Sequence, residues 1–148
     1  MNDRVILLVE DNPQDEMLAL RALRKGHVAN RVDVVRDGQQ ALDYLFREGE
    51  FAQRDGPELP TVVLLDIGLP RLTGVEVLAR LRADPRTRVL PVVMLTSSDE
   101  DADRIASYHH GANSYVRKPL DFGEFATTVA SLGVYWLATN EPPLHRGS

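Results

Sequence analysis

The sequence predicts an α/β fold: a doubly wound, flavodoxin-like, five-stranded parallel sheet in the order 2-1-3-4-5, with helices on both faces. Three observations carry this expectation. Short apolar runs such as Val5–Val9, Thr61–Leu65 and Pro91–Leu95 fit strands buried on both faces, as parallel sheets require. Segments with apolar residues at helical spacing separate the runs, and alternating strands and helices make a parallel sheet. Four runs also end in polar groups, at Glu10-Asp11, Asp66, Thr96 and Lys118. A parallel sheet gathers such residues at its carboxyl edge.

The bulk properties narrow the classes. A chain of 148 residues suits one domain, expected over residues 1–138 with a tail over 139–148. A hydrophobic content of 43% is too high for disorder. Seventeen basic against 22 acidic residues give a net charge of −5, which argues against direct nucleic-acid binding. The absence of cysteine excludes disulfides and thiolate metal sites. No apolar run is long enough for a membrane span, and Met1-Asn-Asp-Arg leads straight into a strand. No signal peptide, no membrane association and a cytoplasmic location are therefore expected.

The elements follow in order. Val5–Val9 is the first strand. Asn12 is suited to cap a helix and Pro13 to open it. That helix runs to about Lys25 with Met17, Leu20 and Leu23 inward, and Gly26 is a C′ stop. Val32–Val35 is mixed in polarity, as at a sheet edge. Asp37-Gly38 turns the chain into a helix to Arg47, with Ala41, Leu42, Leu45 and Phe46 at helical spacing. The polar stretch 48–60 is a surface loop. The strand that ends in Asp66 comes next. Thr73-Gly74 opens a helix packed by Val75, Leu78 and Leu81, which Asp84-Pro85 stops. Pro91–Leu95 is the fourth strand. Thr96-Ser97-Ser98 looks like a capped start for a fourth helix carrying Ala102, Ile105, Ala106 and His109 to Gly111. Ser114–Arg117 is the fifth strand. Asp121 opens a last helix with Phe122, Phe125, Ala126, Val129 and Leu132 inward.

In the order 2-1-3-4-5 the first and third strands are neighbours at the switch point. Glu10, Asp11 and Asp66 then converge, with Thr96 and Lys118 to one side. Three adjacent carboxylates repel one another and favour a cation. An all-oxygen set with few protein ligands suits Mg²⁺. Asp11, Asp66 and the Gly68 carbonyl can bind it directly, with Glu10 holding a water. One oxygen of Asp66 remains as a nucleophile toward phosphorus. Lys118 and the Thr96 hydroxyl lie opposite the cation, where they can neutralise a phosphoryl group. Taken singly, Asp11 and Thr96 can be helix caps and Lys118 a solvated charge. Complementary groups at four strand ends are harder to explain that way. His109 and His110, late in a helix, have no part in this site.

These residues resemble the receiver domain of two-component response regulators. The matching motifs are Glu10-Asp11, Asp66 within Asp-Ile-Gly-Leu-Pro-Arg-Leu-Thr-Gly74, Thr96-Ser97, and Tyr115 to Lys118-Pro119. The resemblance implies that Asp66 is the phosphoacceptor and that Glu10, Asp11 and Asp66 form the Mg²⁺ site. It implies that Thr96 and Lys118 contact the phosphoryl group, and that Lys118-Pro119 is a cis bond. It makes the protein a signalling phosphoacceptor, acting as an enzyme only in its own phosphotransfer and dephosphorylation. Glu10 replaces the commoner Asp, and Ser97 stands where Ala is frequent. The sequence ends without a DNA-binding or enzymatic domain, so output is expected through protein contacts. The 48–60 loop and the ending from Tyr135 to Pro143 resemble single-domain receivers that serve bacterial phytochrome kinases, which makes such a sensor histidine kinase the expected partner.

Two other classes share the architecture. A flavodoxin-type carrier needs a hydroxyl- and Gly-rich loop after the first strand, where this chain has Glu10-Asp-Asn-Pro-Gln-Asp15. A metal-dependent phosphohydrolase commonly has a second Asp two residues after its nucleophile, where this chain has Gly68. The receiver resemblance also implies a switch, in which Thr96 moves toward the phosphoryl group and Tyr115 swings from exposed to buried. A homodimer through the fourth helix, fifth strand and last helix is expected as well. If Val134, Tyr135, Trp136 and Leu137 continue the last helix, consecutive positions about 100° apart cannot all face one core. A second copy would cover the remainder.

Overall fold

The computed structural model describes residues 4–97 and 114–134. Five parallel strands, β1 (Val5–Val9), β2 (Arg31–Val35), β3 (Val62–Asp66), β4 (Val92–Thr96) and β5 (Tyr115–Arg117), form one sheet in the order β2-β1-β3-β4-β5. This is the expected order. The continuously apolar strands β1, β3 and β4 are central and wholly buried, and the mixed strands β2 and β5 are the edges. Among the described residues the α-helices are α1 (Pro13–Lys25), α2 (Gly38–Phe46), α3 (Gly74–Ala83) and α4 (Phe122–Ser131). None of them is long and apolar enough to cross a membrane. The fourth helix expected after Thr96, with Ala102, Ile105, Ala106, His109 and Gly111, lies outside the described residues. So do His110, Tyr135, Trp136, Leu137 and the tail.

The twofold alternation of strand side chains divides the core. Leu7, Val9, Leu65 and Met94 face α2 and α3, where Leu42, Leu45, Leu78 and Leu81 meet them. Ile6, Leu8, Leu64 and Leu95 face α1 and α4, where Leu23, Phe125 and Val129 meet them. Each such aliphatic or Phe side chain contributes about 1.5–3 kcal/mol on burial. Register follows: Val9 pairs with Val35 and Leu65, Asp66 with Leu95, and Thr96 with Arg117. The polar residues after the strands are thereby fixed side by side.

Helix starts follow the sequence signals, with Asn12, Asp37, Thr73 and Asp121 as caps and a reciprocal Thr73–Glu76 capping box. Several inner faces and stops differ from expectation. Leu23 is buried and Leu20 half-buried as expected, but Met17 is 51% exposed and Ala19 is buried in its place. The small Ala19 lets α1 approach the sheet, and i, i+4 spacing places it over Leu23. In α3 the half-buried Val75 gives way to Val77 as the fully buried valine. Gly26 is not a left-handed stop: its φ is −82°, and His27 takes the positive φ of 59°. A Cβ on Gly26 would sit 2.4 Å from the Phe122 ring, so this glycine serves close approach of α4.

The end of α4 also departs from expectation. Gly133 turns left-handed at φ 81°, Val134 N–H donates to the Val129 carbonyl (2.9 Å), and Gly133 N–H donates to that of Ala130 (3.0 Å). This closure ends the helix and turns Val134 into the core. The premise that Val134 continues the helix outward therefore fails. The 48–60 stretch is a loop as expected, but a tightly built one. It holds a 3₁₀ turn, Gly49–Phe51, and its carbonyls are bound by Arg47 and Arg54.

Candidate functional site

Each strand end delivers its residue for a local reason. Past β1, Glu10 N–H still donates to the Val35 carbonyl (3.0 Å), so the strand geometry extends one residue and turns the Glu10 side chain inward, where the residue is 1% exposed. Asn12 then caps α1, its Oδ1 accepting from the Gln14 (2.8 Å) and Asp15 (3.0 Å) amides. The cap is thus Asn12 and not Asp11, which leaves the Asp11 carboxylate for other work. Past β3, Ile67 N–H donates to the Leu95 carbonyl (3.0 Å), and Gly68 N–H donates to Asp66 Oδ1 (3.2 Å). A Cβ on Gly68 would meet only that oxygen, at 4.0 Å, so the space beside the carboxylate is open. Gly74 has the opposite character. A Cβ there would lie 2.4 Å from the Asp66 carbonyl oxygen, so α3 starts hard against the backbone of Asp66. Thr96 closes β4 fully buried, and its carbonyl accepts from Lys118 N–H (2.8 Å). The Lys118-Pro119 bond is cis, as the resemblance implied.

The side chains converge. Glu10, Asp11 and Asp66 each bring a carboxylate oxygen within 4.8 Å of the other two. Lys118 Nζ lies 3.2 Å from Glu10 Oε1, 3.2 Å from Asp66 Oδ1 and 2.9 Å from Asp15 Oδ2. An ammonium has three donors, and here three carboxylates take them. Lys118 is therefore not a solvated charge: its side chain is 15% exposed.

The electrostatics show how strongly the site favours positive charge. Burial, helped by the Asp66 charge, pushes the Glu10 carboxyl up to about 7, although Lys118 and the Asn12 amide oppose the shift. Burial alone would pull the Lys118 ammonium down. The Asp15 hydrogen bond and the charges of Asp66 and Glu10 outweigh it and hold the ammonium above its ordinary value. A buried carboxyl that keeps its proton near neutrality, beside two further oxygen donors, fits a hard divalent cation such as Mg²⁺.

The expected residues Glu10, Asp11, Asp66 and Lys118 are brought together. Tyr115 stands apart at the start of β5, 40% exposed. Asp15 was not singled out from the sequence, yet it makes the shortest of the three Lys118 contacts. Its position, four residues after Asp11 and in the first turn of α1, was the available signal.

Comparison with known proteins agrees with this geometry. Residues 6–130 match the response regulator receiver domain. The chain is 43% identical over 140 residues to "Probable methanogenesis regulatory protein FilR2" of Methanothrix harundinacea, covering 94% of this chain and 87% of that one. It is 35% identical over 136 residues to response regulator Rcp1 of Synechocystis, covering 92% and 90%. The solved Mn(2+)-bound form of Rcp1 superposes with a TM-score of 0.70 at 34% identity, covering 95% of this chain and 99% of that one. The bacteriophytochrome response regulator RtBRR superposes with a TM-score of 0.86 at 50% identity, covering 95% and 84%. With its ordered motifs, its sheet order and its acidic cluster facing a lysine, the chain belongs to the response regulator receiver domain family.

Proposed function

We propose that this receiver takes a phosphoryl group from a sensor histidine kinase onto Asp66, with Mg²⁺ held by Glu10, Asp11, Asp66 and the Gly68 carbonyl. The observation that carries the proposal is the meeting of three carboxylates with Lys118 Nζ, 3.2 Å from Asp66 Oδ1. A free Asp66 oxygen attacks phosphorus. The bond from phosphorus to the kinase imidazole nitrogen breaks, and the departing imidazole takes a proton from solvent. When bound, the cation supplies charge neutralisation on one side of the phosphoryl oxygens. Lys118 supplies it on the other, with the Thr96 hydroxyl as donor. Thr96 and Tyr115 form the switch, and the chain turns over no other substrate.

Incubation with acetyl phosphate and Mg²⁺, followed by intact mass measurement, tests this reading. One phosphoryl group per chain is expected, lost in Asp66→Asn and in excess chelator. Labelling that survives either change overturns it, as does steady turnover of an aryl phosphate. The name of RtBRR, a bacteriophytochrome response regulator, supports a bacterial phytochrome kinase as donor, and a cytoplasmic location for this chain goes with that reading. Phosphotransfer profiling against the source organism's histidine kinases decides that point. A homodimer through the helix expected after Thr96, β5 and the last helix α4, covering Tyr135, Trp136 and Leu137, belongs to the same proposal. Sedimentation of the wild type with and without beryllofluoride, alongside a Tyr135→Ala/Trp136→Ala variant, tests it, and a monomer throughout refutes it.

A further inference from the structure

The three carboxylates around Lys118 differ in what each can do when the lysine is needed elsewhere. The Glu10 and Asp66 side chains are 1% and 6% exposed, and Asp15 is 32% exposed. A buried carboxylate that loses its ammonium partner depends on the cation alone for compensation, whereas one at the rim is rehydrated. The ammonium's three donors face three carboxylates at rest, and a phosphoryl oxygen gains Lys118 when one gives it up; the phosphorylated Asp66 no longer carries its carboxylate charge, so the choice lies between Glu10 and Asp15. Asp15 is the partner that can do so at least expense. Among the described residues its side chain has Lys118 as its one partner, with Oδ2 2.9 Å from Nζ, while its backbone amide serves the Asn12 cap.

We propose that Asp15 is a positioning residue: it tethers Lys118 in the resting protein and is displaced when a phosphoryl group on Asp66 claims the ammonium. The inference rests on the phosphoacceptor role proposed for Asp66. Asp15 does not touch the reacting atoms in this role. It sets how readily Lys118 reaches them, and so the ease with which the phosphorylated state forms.

The test uses the full chain and two readouts. The first is the reactivity of Lys118 toward an amine-directed reagent without Mg²⁺, followed by peptide mass. Asp15→Asn is expected to speed labelling about fivefold, because the lysine loses its rim-side charge partner. The second is beryllofluoride affinity at fixed Mg²⁺, expected to tighten about fivefold in Asp15→Asn for the same reason. Glu16→Gln is the control for a general loss of negative charge, since Glu16 sits in the same turn but pairs with Arg36. Its beryllofluoride affinity should change far less than that of Asp15→Asn. Unchanged or weaker affinity in Asp15→Asn, or an equal gain in Glu16→Gln, overturns the tether. A wild type that does not bind beryllofluoride overturns the reading of Asp66 and the exchange with it. A wild type that binds, beside an Asp15→Asn variant that does not differ, overturns the exchange alone.

Discussion

Replacing Gly74 by Ala should uncouple α3 from the phosphoacceptor strand. The new Cβ would fall 2.4 Å from the Asp66 carbonyl oxygen and 2.8 Å from Ile67 Cα. Both are backbone atoms, so no rotamer change relieves the clash and the helix start must retreat by about 1 Å to reach ordinary contact. That retreat stretches the Gly74 N–H bond to the Ile67 carbonyl, now 3.1 Å. Overpacking costs about 2 kcal/mol and the weakened hydrogen bond about 1 kcal/mol, offset by about 1 kcal/mol from Ala's better helix propensity. A net loss of about 2 kcal/mol is expected, read as a lower urea midpoint at unchanged slope. Because the clash is with Asp66 itself, the rate of phosphorylation by acetyl phosphate should fall as well. A variant as stable as the wild type, or more so, would refute the claim that α3 is seated rigidly on the Asp66 backbone.

Four further outcomes follow from the site, the loop and the exposed edge of β5. Glu10 keeps its proton to about 7 in the folded chain but loses it near 4.5 when unfolded. The folded state then binds more protons between those values, so stability without Mg²⁺ should fall as pH rises through that window, by roughly 3 kcal/mol at most. Mg²⁺ must displace that proton, so its affinity should rise with pH up to about 7, and a pH-independent Mg²⁺ titration would contradict the assignment. Arg54→Ala removes guanidinium hydrogen bonds to the carbonyls of Tyr44 (2.7 Å), Pro57 (2.9 Å) and Glu58 (2.8 Å). It should cost about 2 kcal/mol and speed amide exchange across 52–59, and unaltered exchange would count against the loop's dependence on it. Tyr115, exposed at rest, should change its NMR environment on adding beryllofluoride with Mg²⁺, and a resonance that does not move would remove it from the switch.

The legible parts of this molecule are those fixed by short-range chemistry. Val5–Val9 and Val62–Asp66 read as central strands because an uninterrupted apolar run has few other uses in a chain of this kind. Their order then put Glu10, Asp11 and Asp66 at one place without any side-chain detail. What escaped depended on distances that a sequence does not contain. Gly26 looked like a helix stop because glycines often are, but its reason is the ring of Phe122 arriving from the far end of the chain. Met17 was placed inward, and Ala19 passed over, because helix phase alone does not say how closely α1 approaches the sheet. Asp15 was overlooked because its part depends on how far the Lys118 ammonium reaches across the sheet edge. Gly133 ends α4 just where the apolar spacing gave no sign of a break, and so Val134 was placed outward when it turns into the core.

The loop between α2 and β3 has a consequence for how freely its sequence can vary. Arg47 binds the carbonyls of Arg54, Gly56 and Pro57, and Arg54 binds those of Tyr44, Pro57 and Glu58. Carbonyls belong to every amino acid, so what the two guanidiniums recognise is the path of the main chain and not the identity of its side chains. The information that shapes the loop's path is thus concentrated in few positions, since beyond the two arginines only Gly49, at a φ of 55°, and Phe51, packed edge-on to Tyr44, are constrained between them, and the other residues there are open to drift. The two arginines are not open to exchange even with lysine, whose single ammonium lacks the planar fork that spans several acceptors. A surface segment can in this way diversify toward new partners while its backbone stays where it is.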